Sequence, residues 1–303
     1  MLAPRLLRAA LLGLLLGPAV MAAEAWASAA GAVLPSMPEL SAHDRVLVVA
    51  PHPDDESLCC AGLIQQALAH GASVGVVWIT AGDSFEFDAM VVQHTLWPGK
   101  GGMQRLGIER LREAQRAADA LGVPRAAQYA LGYPDRGVLG LAGAYYSRPY
   151  VSKYTGASAV PYPGTLSPGA SYTGANLERD LEQVIAAFRP TLVFAAAPQD
   201  RHADHSASGA LARRVLERRG EFAVLRYWIV HAPDWPRPRG LEPDLALMPP
   251  AVAASLPWQS LALSEAERAG KLAALREHHT QMQLMAPFMN SFVRANEIFA
   301  PAR

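Results

Sequence analysis

The sequence predicts an α/β protein of Rossmann-like type: a mainly parallel sheet flanked by helices, in a single domain with one long Tyr/Gly/Pro-rich loop. Three observations predict it. Short apolar runs without period-two alternation recur along the chain, as in strands buried on both faces of a parallel sheet. Segments with helical spacing separate these runs, so strands and helices alternate. The 303 residues are 51% hydrophobic, enough for one large core.

The run RVLVVA at 45–50 is the first strand. A helix is expected over 56–70, closed by Gly71 at its C′ position. SVGVVWIT at 73–80 is the second strand. The stretch 105–121 places Leu106, Glu109, Arg110, Glu113, Ala117 and Leu121 at helical spacing, with Gly122 as its stop. A strand follows at 128–131, a helix at 177–188, a strand at 191–196, a helix at 206–219 and a strand at 222–231. The last helix, 264–283, opens on a Ser-x-x-Glu capping box at Ser264 and Glu267. Between 132 and 176 this rhythm stops. A loop that long inside a compact domain is functional or disordered, and its tyrosines (133, 145, 146, 150, 154, 162 and 172) argue against disorder. It reads either as a stacking wall or lid over a site, or as a surface excursion packed on its own aromatics.

Residues 1–29 have the layout of a secretory signal peptide. Arg5 and Arg8 precede an uncharged run from Ala9 to Ala23, and small-x-small triplets place cleavage between about 22 and 30. That run is shorter than the ~20 residues that cross a bilayer, and Gly17-Pro18 breaks it. The expectation is an exported, periplasmic or extracellular protein with no stable membrane span, a leader over 30–42 and a domain over 43–303. Its 27 basic residues balance its 27 acidic ones, which excludes a polybasic nucleic-acid binder and an acidic tail. Cys59 and Cys60 are adjacent and, in a helix, point about 100° apart. They are expected as two unbridged, buried hydrophobes.

Chemistry concentrates in Pro51-His52-Pro53-Asp54-Asp55-Glu56, directly after the first strand. Open α/β sheets place their sites at that carboxyl end. The His and carboxylates are nitrogen and oxygen donors suited to Zn²⁺ or a similar divalent ion. A second cluster, Asp200-Arg201-His202-Ala203-Asp204-His205, follows the strand at 191–196, so the two can meet at one sheet edge. Helix-dipole partners would explain the acids, and a polar turn would explain either histidine cluster alone. Neither explains histidine in both.

At these residues the chain resembles the PIG-L (LmbE-like) N-deacetylases, zinc hydrolases that remove acetyl groups from N-acetylglucosamine-type substrates. The signature P-H-P-D-D-E stands complete at 51–56, and H-P-D-H stands as His202-Ala203-Asp204-His205, with Ala203 in place of Pro. Weaker echoes are the helix from Leu106 to Glu113, the turn Leu131-Gly132-Tyr133-Pro134-Asp135, and Lys271, Ala274-Leu275, His278 and Thr280-Gln281. The resemblance implies His52, Asp55 and His205 as ligands of Zn²⁺ or another divalent ion such as Fe²⁺, with Asp54 as general base. It implies His202 as an imidazolium that stabilises the oxyanion, with Asp204 holding its tautomer. Arg110 and Asp135 would hold sugar hydroxyls, although Arg110 also reads as an i,i+3 partner of Glu113. Glu56 would cap its helix and His278 would support the site from beneath. His43, His70 and His231 are expected at element ends, His94 is the weaker candidate for reaching a substrate, and spacing leaves open whether Asp83 lines the pocket mouth.

The implied partner is an amino sugar or glycoconjugate, and the chain's neutrality inclines that expectation toward an uncharged glycan. Two rivals stand beside this reading. A non-catalytic carbohydrate-binding protein would need neither Asp54 nor His202. A metallo-β-lactamase-type hydrolase would need a histidine where Asp200 stands, and it leaves residues 51–56 unexplained.

Overall fold

Five strands pair in parallel, and their near-continuous apolar sequences follow from burial on both faces. β1 (Arg45–Ala50) is central, with β2 (Ser73–Thr80) on one side and β4 (Leu192–Ala196) on the other. β3 (Gln128–Tyr133) and β5 (Leu225–Trp228) lie outside these two. β6 (Gln259–Ala262) and β7 (Asn296–Pro301) complete a 7-stranded sheet in the order β3-β2-β1-β4-β5-β7-β6. β7 runs antiparallel to both β5 and β6. The order reverses between β1 and β4, so the segments leaving these two strands open onto one crevice. In this computed structural model residues 33–302 are described; the expected signal peptide and the start of the leader lie outside the described residues. The chain divides after Pro35, and Ser36–Arg303 forms one compact unit.

The flanking helices are α1 (Asp55–Ala69), α2 (Glu86–Val92), α3 (Gly99–Ala120), α4 (Val138–Ala142), α5 (Gly174–Phe188), α6 (Ala203–Arg218), α7 (Glu265–Glu277) and α8 (His279–Asn290). Among the described residues no helix is long and apolar enough to cross a membrane. α6 crosses β4 closely: a Cβ on Gly209 would fall 2.0 Å from the Ala196 carbonyl oxygen. That contact holds the first turn of α6, which carries His205, against the sheet.

The parallel α/β architecture matches the expectation, with local corrections. β6 and β7 were not anticipated, because four residues of QSLA and the polar start of NEIFAP carry no strand pattern of their own. The expected strand at 222–231 is ordered as β5 only over Leu225–Trp228. The single last helix is two. It breaks at His278, whose ring is drawn to Glu56, while Glu113 of α3 accepts the N–H and the hydroxyl of Thr280 at 2.9 and 2.6 Å. Cys59 and Cys60 are joined to each other as a disulfide within α1, against the expectation of two unbridged thiols.

The 132–176 segment is an ordered excursion in which Tyr133, Tyr162 and Tyr172 are buried while Tyr145, Tyr146, Tyr150 and Tyr154 are not. Leu166 donates to the Ala130 carbonyl at 2.8 Å and so covers the open edge of β3. Tyr133 donates to Asp180 at 2.8 Å, Tyr172 lies buried 6.0 Å from the Tyr133 ring, and Tyr162 donates to Asp83. Burial removes these rings from any stacking role.

Asp83 supports that anchor from the end of β2, accepting also the Asp135 N–H at 3.1 Å. Burial, then the nearby Asp135 carboxylate, raises its pKa to about 7. A carboxyl raised in the fold contributes its stability below its unfolded pKa and loses it as pH rises through the folded one. Wild type should therefore lose about 2 kcal/mol relative to Asp83→Asn between pH 5 and 8. Thermal unfolding of both proteins across that range measures it, and parallel curves would refute the assignment.

Candidate active site

The turn after β1 and the turn after β4 bring three donor atoms to one point. His52 Nδ1 lies 3.1 Å from His205 Nε2, and Asp55 Oδ2 lies 3.2 Å from each of them. Three lone-pair donors at this spacing repel one another unless a cation stands between them. Tetrahedral and octahedral ligand sets with bonds near 2.1 Å have edges of about 3.0–3.4 Å. His52, Asp55 and His205 thus fit a divalent cation.

Outer carboxylates set the two rings. His205 Nδ1 faces Asp200 Oδ2 at 3.2 Å, and Asp200 is itself held by the Val230 and His231 N–H groups, both at 3.0 Å. With its proton on Nδ1, His205 turns a lone pair on Nε2 toward the centre. On the far side of His52, Nε2 lies 3.2 Å from Asp135 Oδ1 and 3.5 Å from Asp204 Oδ2, which favours the proton there and leaves Nδ1 free. Burial disfavours charge on these rings, but the carboxylates outweigh it. His205 is raised to about 10 by Asp55 and Asp200, and His52 is raised well above the usual histidine range by Asp135. The site is a negative well that calls for positive charge.

Asp54 occupies the N-cap of α1 with φ 142° and ψ −26°. A non-glycine residue held there costs about 1–3 kcal/mol. The strained turn lets neighbouring carboxylates serve different places, Asp55 at the donor centre and Asp54 in the cleft. Arg110 Nη2 donates to Asp54 Oδ2 at 3.0 Å and to the Pro53 carbonyl at 2.9 Å, while Nη1 donates to the Gly82 carbonyl at 2.9 Å. Gly82 has φ +66°, and a Cβ there would fall 2.3 Å from Arg110 Nη1. Burial raises the Asp54 carboxyl to about 7 against the pull of Arg110.

Several expected roles change. Asp204 does not orient His202 with its carboxylate, which accepts the Val138 and Arg136 N–H groups and so ties down the turn after β3. Its backbone N–H meets His202 Nδ1 instead, at 3.3 Å, because His202 is the N-cap of α6. Nδ1 therefore accepts and Nε2 carries the proton. Burial, then the neighbouring His52, His205 and His231 rings, lowers His202 to about 3, which favours the neutral ring over the expected imidazolium. Arg110 and Asp135 line the cleft; both Arg110 Nη groups are engaged within the protein and Asp135 Oδ2 accepts the Ser84 hydroxyl at 2.6 Å, while Arg110 Nε has no hydrogen-bond partner among the described residues. No ion pair joins Arg110 to Glu113 among the described residues. Asp83 lies beneath the site rather than at its mouth, and His94 is not among the lining residues.

The cleft opens to solvent and has a cavity volume of about 170 Å³. Its lining combines His52, Asp54, His202 and His231 with the apolar Phe85, Met285, Phe288 and Met289. Sequence reasoning missed His231 as a lining residue, whose ring stacks on Phe288 at 5.6 Å, and named Asp200 in the second cluster without giving it a role. The C-terminal echo proves to be a strut. Lys271 donates to Glu297 at 2.7 Å and to the Leu58 carbonyl at 2.8 Å, Gln281 donates to Asp88, and His278 meets Glu56 at 3.0 Å. Glu56 Oε2 in turn accepts the Asp54 N–H at 3.2 Å, so the strut ends under the strained turn.

Fold and site together define a class, the α/β proteins with a candidate His/Asp metal-binding group at the switch point of the sheet, beside a cleft-facing carboxylate. Within it, the chain belongs to the PIG-L family, described as GlcNAc-PI de-N-acetylase, which matches residues 47–216. A 1D-myo-inositol 2-acetamido-2-deoxy-alpha-D-glucopyranoside deacetylase of Nocardia farcinica is 28% identical over 281 residues, spanning 84% of this chain and 86% of its own. The A40926 pseudoaglycone deacetylase Dbv21 shares the fold with a TM-score of 0.55 at 21% identity, over 85% of this chain and 96% of its own. So does a zinc-inhibited form of the teicoplanin deacetylase Orf2, with a TM-score of 0.53 at 19% identity, over 85% of this chain and 97% of its own.

Proposed function

We propose that the protein is a zinc-dependent hydrolase that removes the acetyl group from an N-acetylated amino sugar or glycoconjugate. The observation that carries this is the juxtaposition of the His52, Asp55 and His205 donors with a separate carboxylate, Asp54, that faces the cleft. The family match and the deacetylase relatives support the substrate class.

A divalent cation held by His52, Asp55 and His205 supplies Lewis acidity, which acidifies water and polarises a carbonyl. Asp54 is the general base, taking the proton of the attacking water and holding it for the leaving amine. Burial holds its pKa above the ordinary carboxylate value, which suits a group that takes a proton and gives it up again, and Arg110 fixes the carboxylate in place. His202 offers its Nε2–H to the oxygen that gains charge as the amide carbon becomes tetrahedral, and the Asp204 N–H at Nδ1 fixes that tautomer. Because the donor is neutral, it stabilises the oxyanion without giving up its own proton.

The test is acetate release from N-acetylglucosamine and its conjugates by protein loaded with Zn²⁺, against chelated protein. Metal-dependent acetate release is expected. Stoichiometric zinc binding with no amide hydrolysis across such a panel would favour the binding-protein reading instead.

A further inference from the structure

One face of α8 borders the cleft. Gln281, Met285, Phe288 and Met289 line it, and their positions in the chain recur at the spacing of a single helical face. Gln281 is engaged by Asp88, so that face offers a ligand two thioethers and a phenyl ring. Phe85, at the start of α2, and Leu58 of α1 add two more apolar side chains to the lining. None of these five apolar side chains holds the metal donors, Asp54 or His202.

Their place relative to a reacting amide follows from its shape. An amide group is planar, so its oxygen, its nitrogen and its acyl carbon point three different ways. In the proposed reaction the oxygen lies by the metal donors and His202. The nitrogen lies toward Asp54, which Arg110 ties to the end of β2 through the Gly82 carbonyl. The acyl carbon is left to point away from Asp54. His231 stands there, its ring 5.2 Å from that of His202 and 4.7 Å from that of His205. It stacks on Phe288 at 5.6 Å with the planes 12° apart. The apolar face of α8 is therefore one ring removed from the oxyanion donor.

An acetyl methyl is smaller than any one of Met285, Phe288 and Met289, and it leaves most of that face uncovered. The wall can also yield. Methionine is unbranched and adapts to irregular space. Met285 sits at a break in α8, with φ −122° and ψ 18°, and Pro287 follows it without an N–H for the Gln283 carbonyl.

We propose that His231, Met285, Phe288 and Met289 form a subsite for an unbranched acyl chain longer than acetyl, so that the protein hydrolyses short-chain N-acyl amino sugars as well as N-acetyl ones. This rests on the amide hydrolysis proposed above. The bond that breaks is the same amide C–N bond. The water oxygen joins the acyl carbon, one proton of the water passes to the leaving nitrogen, and the products are a free amino sugar and a short fatty acid.

The test compares N-acetyl-, N-propionyl-, N-butyryl- and N-hexanoylglucosamine with zinc-loaded protein, reading the glucosamine that all four release. Each added methylene should raise kcat/KM about threefold, so the butyryl amide should exceed the acetyl amide about tenfold. Met285→Gln should lower that butyryl-to-acetyl ratio by about threefold or more, whereas Met285→Leu, which keeps the apolar surface, should hold it within about twofold. Binding without turnover is the second readout: in calorimetry butyrate and hexanoate should bind the zinc-loaded protein more tightly than acetate. A butyryl-to-acetyl ratio at or below one, or a ratio unmoved by Met285→Gln, overturns the subsite. Faster turnover of octyl than of methyl N-acetylglucosaminide, with no gain from longer acyl groups, assigns the apolar wall to the leaving sugar and overturns it too. Graded binding of the three fatty acids without hydrolysis of any amide overturns the proposed reaction and leaves the subsite standing. Equal binding of the three acids, again without hydrolysis, overturns both.

Discussion

Asp54→Asn is expected to lower kcat for acetate release by about 10²–10⁴-fold, the range for loss of a positioned general base. Asn keeps the shape of the side chain, can still accept from Arg110 and tolerates positive φ, so folding and zinc content should change little. The wild-type pH profile gives an independent check. A base must be ionised to act, so kcat/KM should rise with pH through the Asp54 pKa, which burial places near 7. A cation bound at the neighbouring Asp55 stabilises the carboxylate and moves that limb below 7. Wild-type activity in Asp54→Asn would remove Asp54 from the mechanism, whatever the metal content.

The second large effect is on the donor group. His205→Ala should abolish stoichiometric zinc binding, because it removes one corner of a triangle whose other corners, His52 Nδ1 and Asp55 Oδ2, are only 3.2 Å apart. It also strands Asp55 and Asp200, both buried and both paired to that imidazole, a loss of about 3–5 kcal/mol when a buried charge loses its partner. Metal content and thermal unfolding with and without chelator read the two parts. The wild-type midpoint should fall on chelation, since a ligand that binds only the folded state stabilises it by mass action. The variant midpoint should be lower and indifferent to chelator. A variant that keeps one zinc per chain and a chelator-sensitive midpoint would place the metal elsewhere.

The parallel core was legible because strands buried on both faces must be apolar throughout, and VLVVA and VGVVWI have no other comfortable home. The donor residues were legible because one turn holding His, Asp, Asp and Glu at a strand's carboxyl end has few structural uses. β6 and β7 were not, since their pairing supplies the order that their own sequences lack. The long loop stood open between two readings, and only the fold shows that Tyr162 and Tyr172 are buried within it. His231 looked like the end of a strand, and only the packing of α8 behind it turned it into part of the cleft wall.

By itself, then, the sequence determined the alternation of strands and helices, the meeting of two motifs at one sheet edge, and the kinds of donor present there. These depend on local pattern and on side-chain chemistry, which the chain carries wherever it goes. Only the tertiary structure decided that Asp200 and Asp135 are the outer partners of His205 and His52, and that Asp204 ties down a turn while its backbone faces His202. The reason is geometric. A histidine's free nitrogen, a carboxylate's partner and a local field are set by contacts between residues far apart in sequence, and those contacts exist only after β1, β3 and β4 stand side by side with β2 in one sheet.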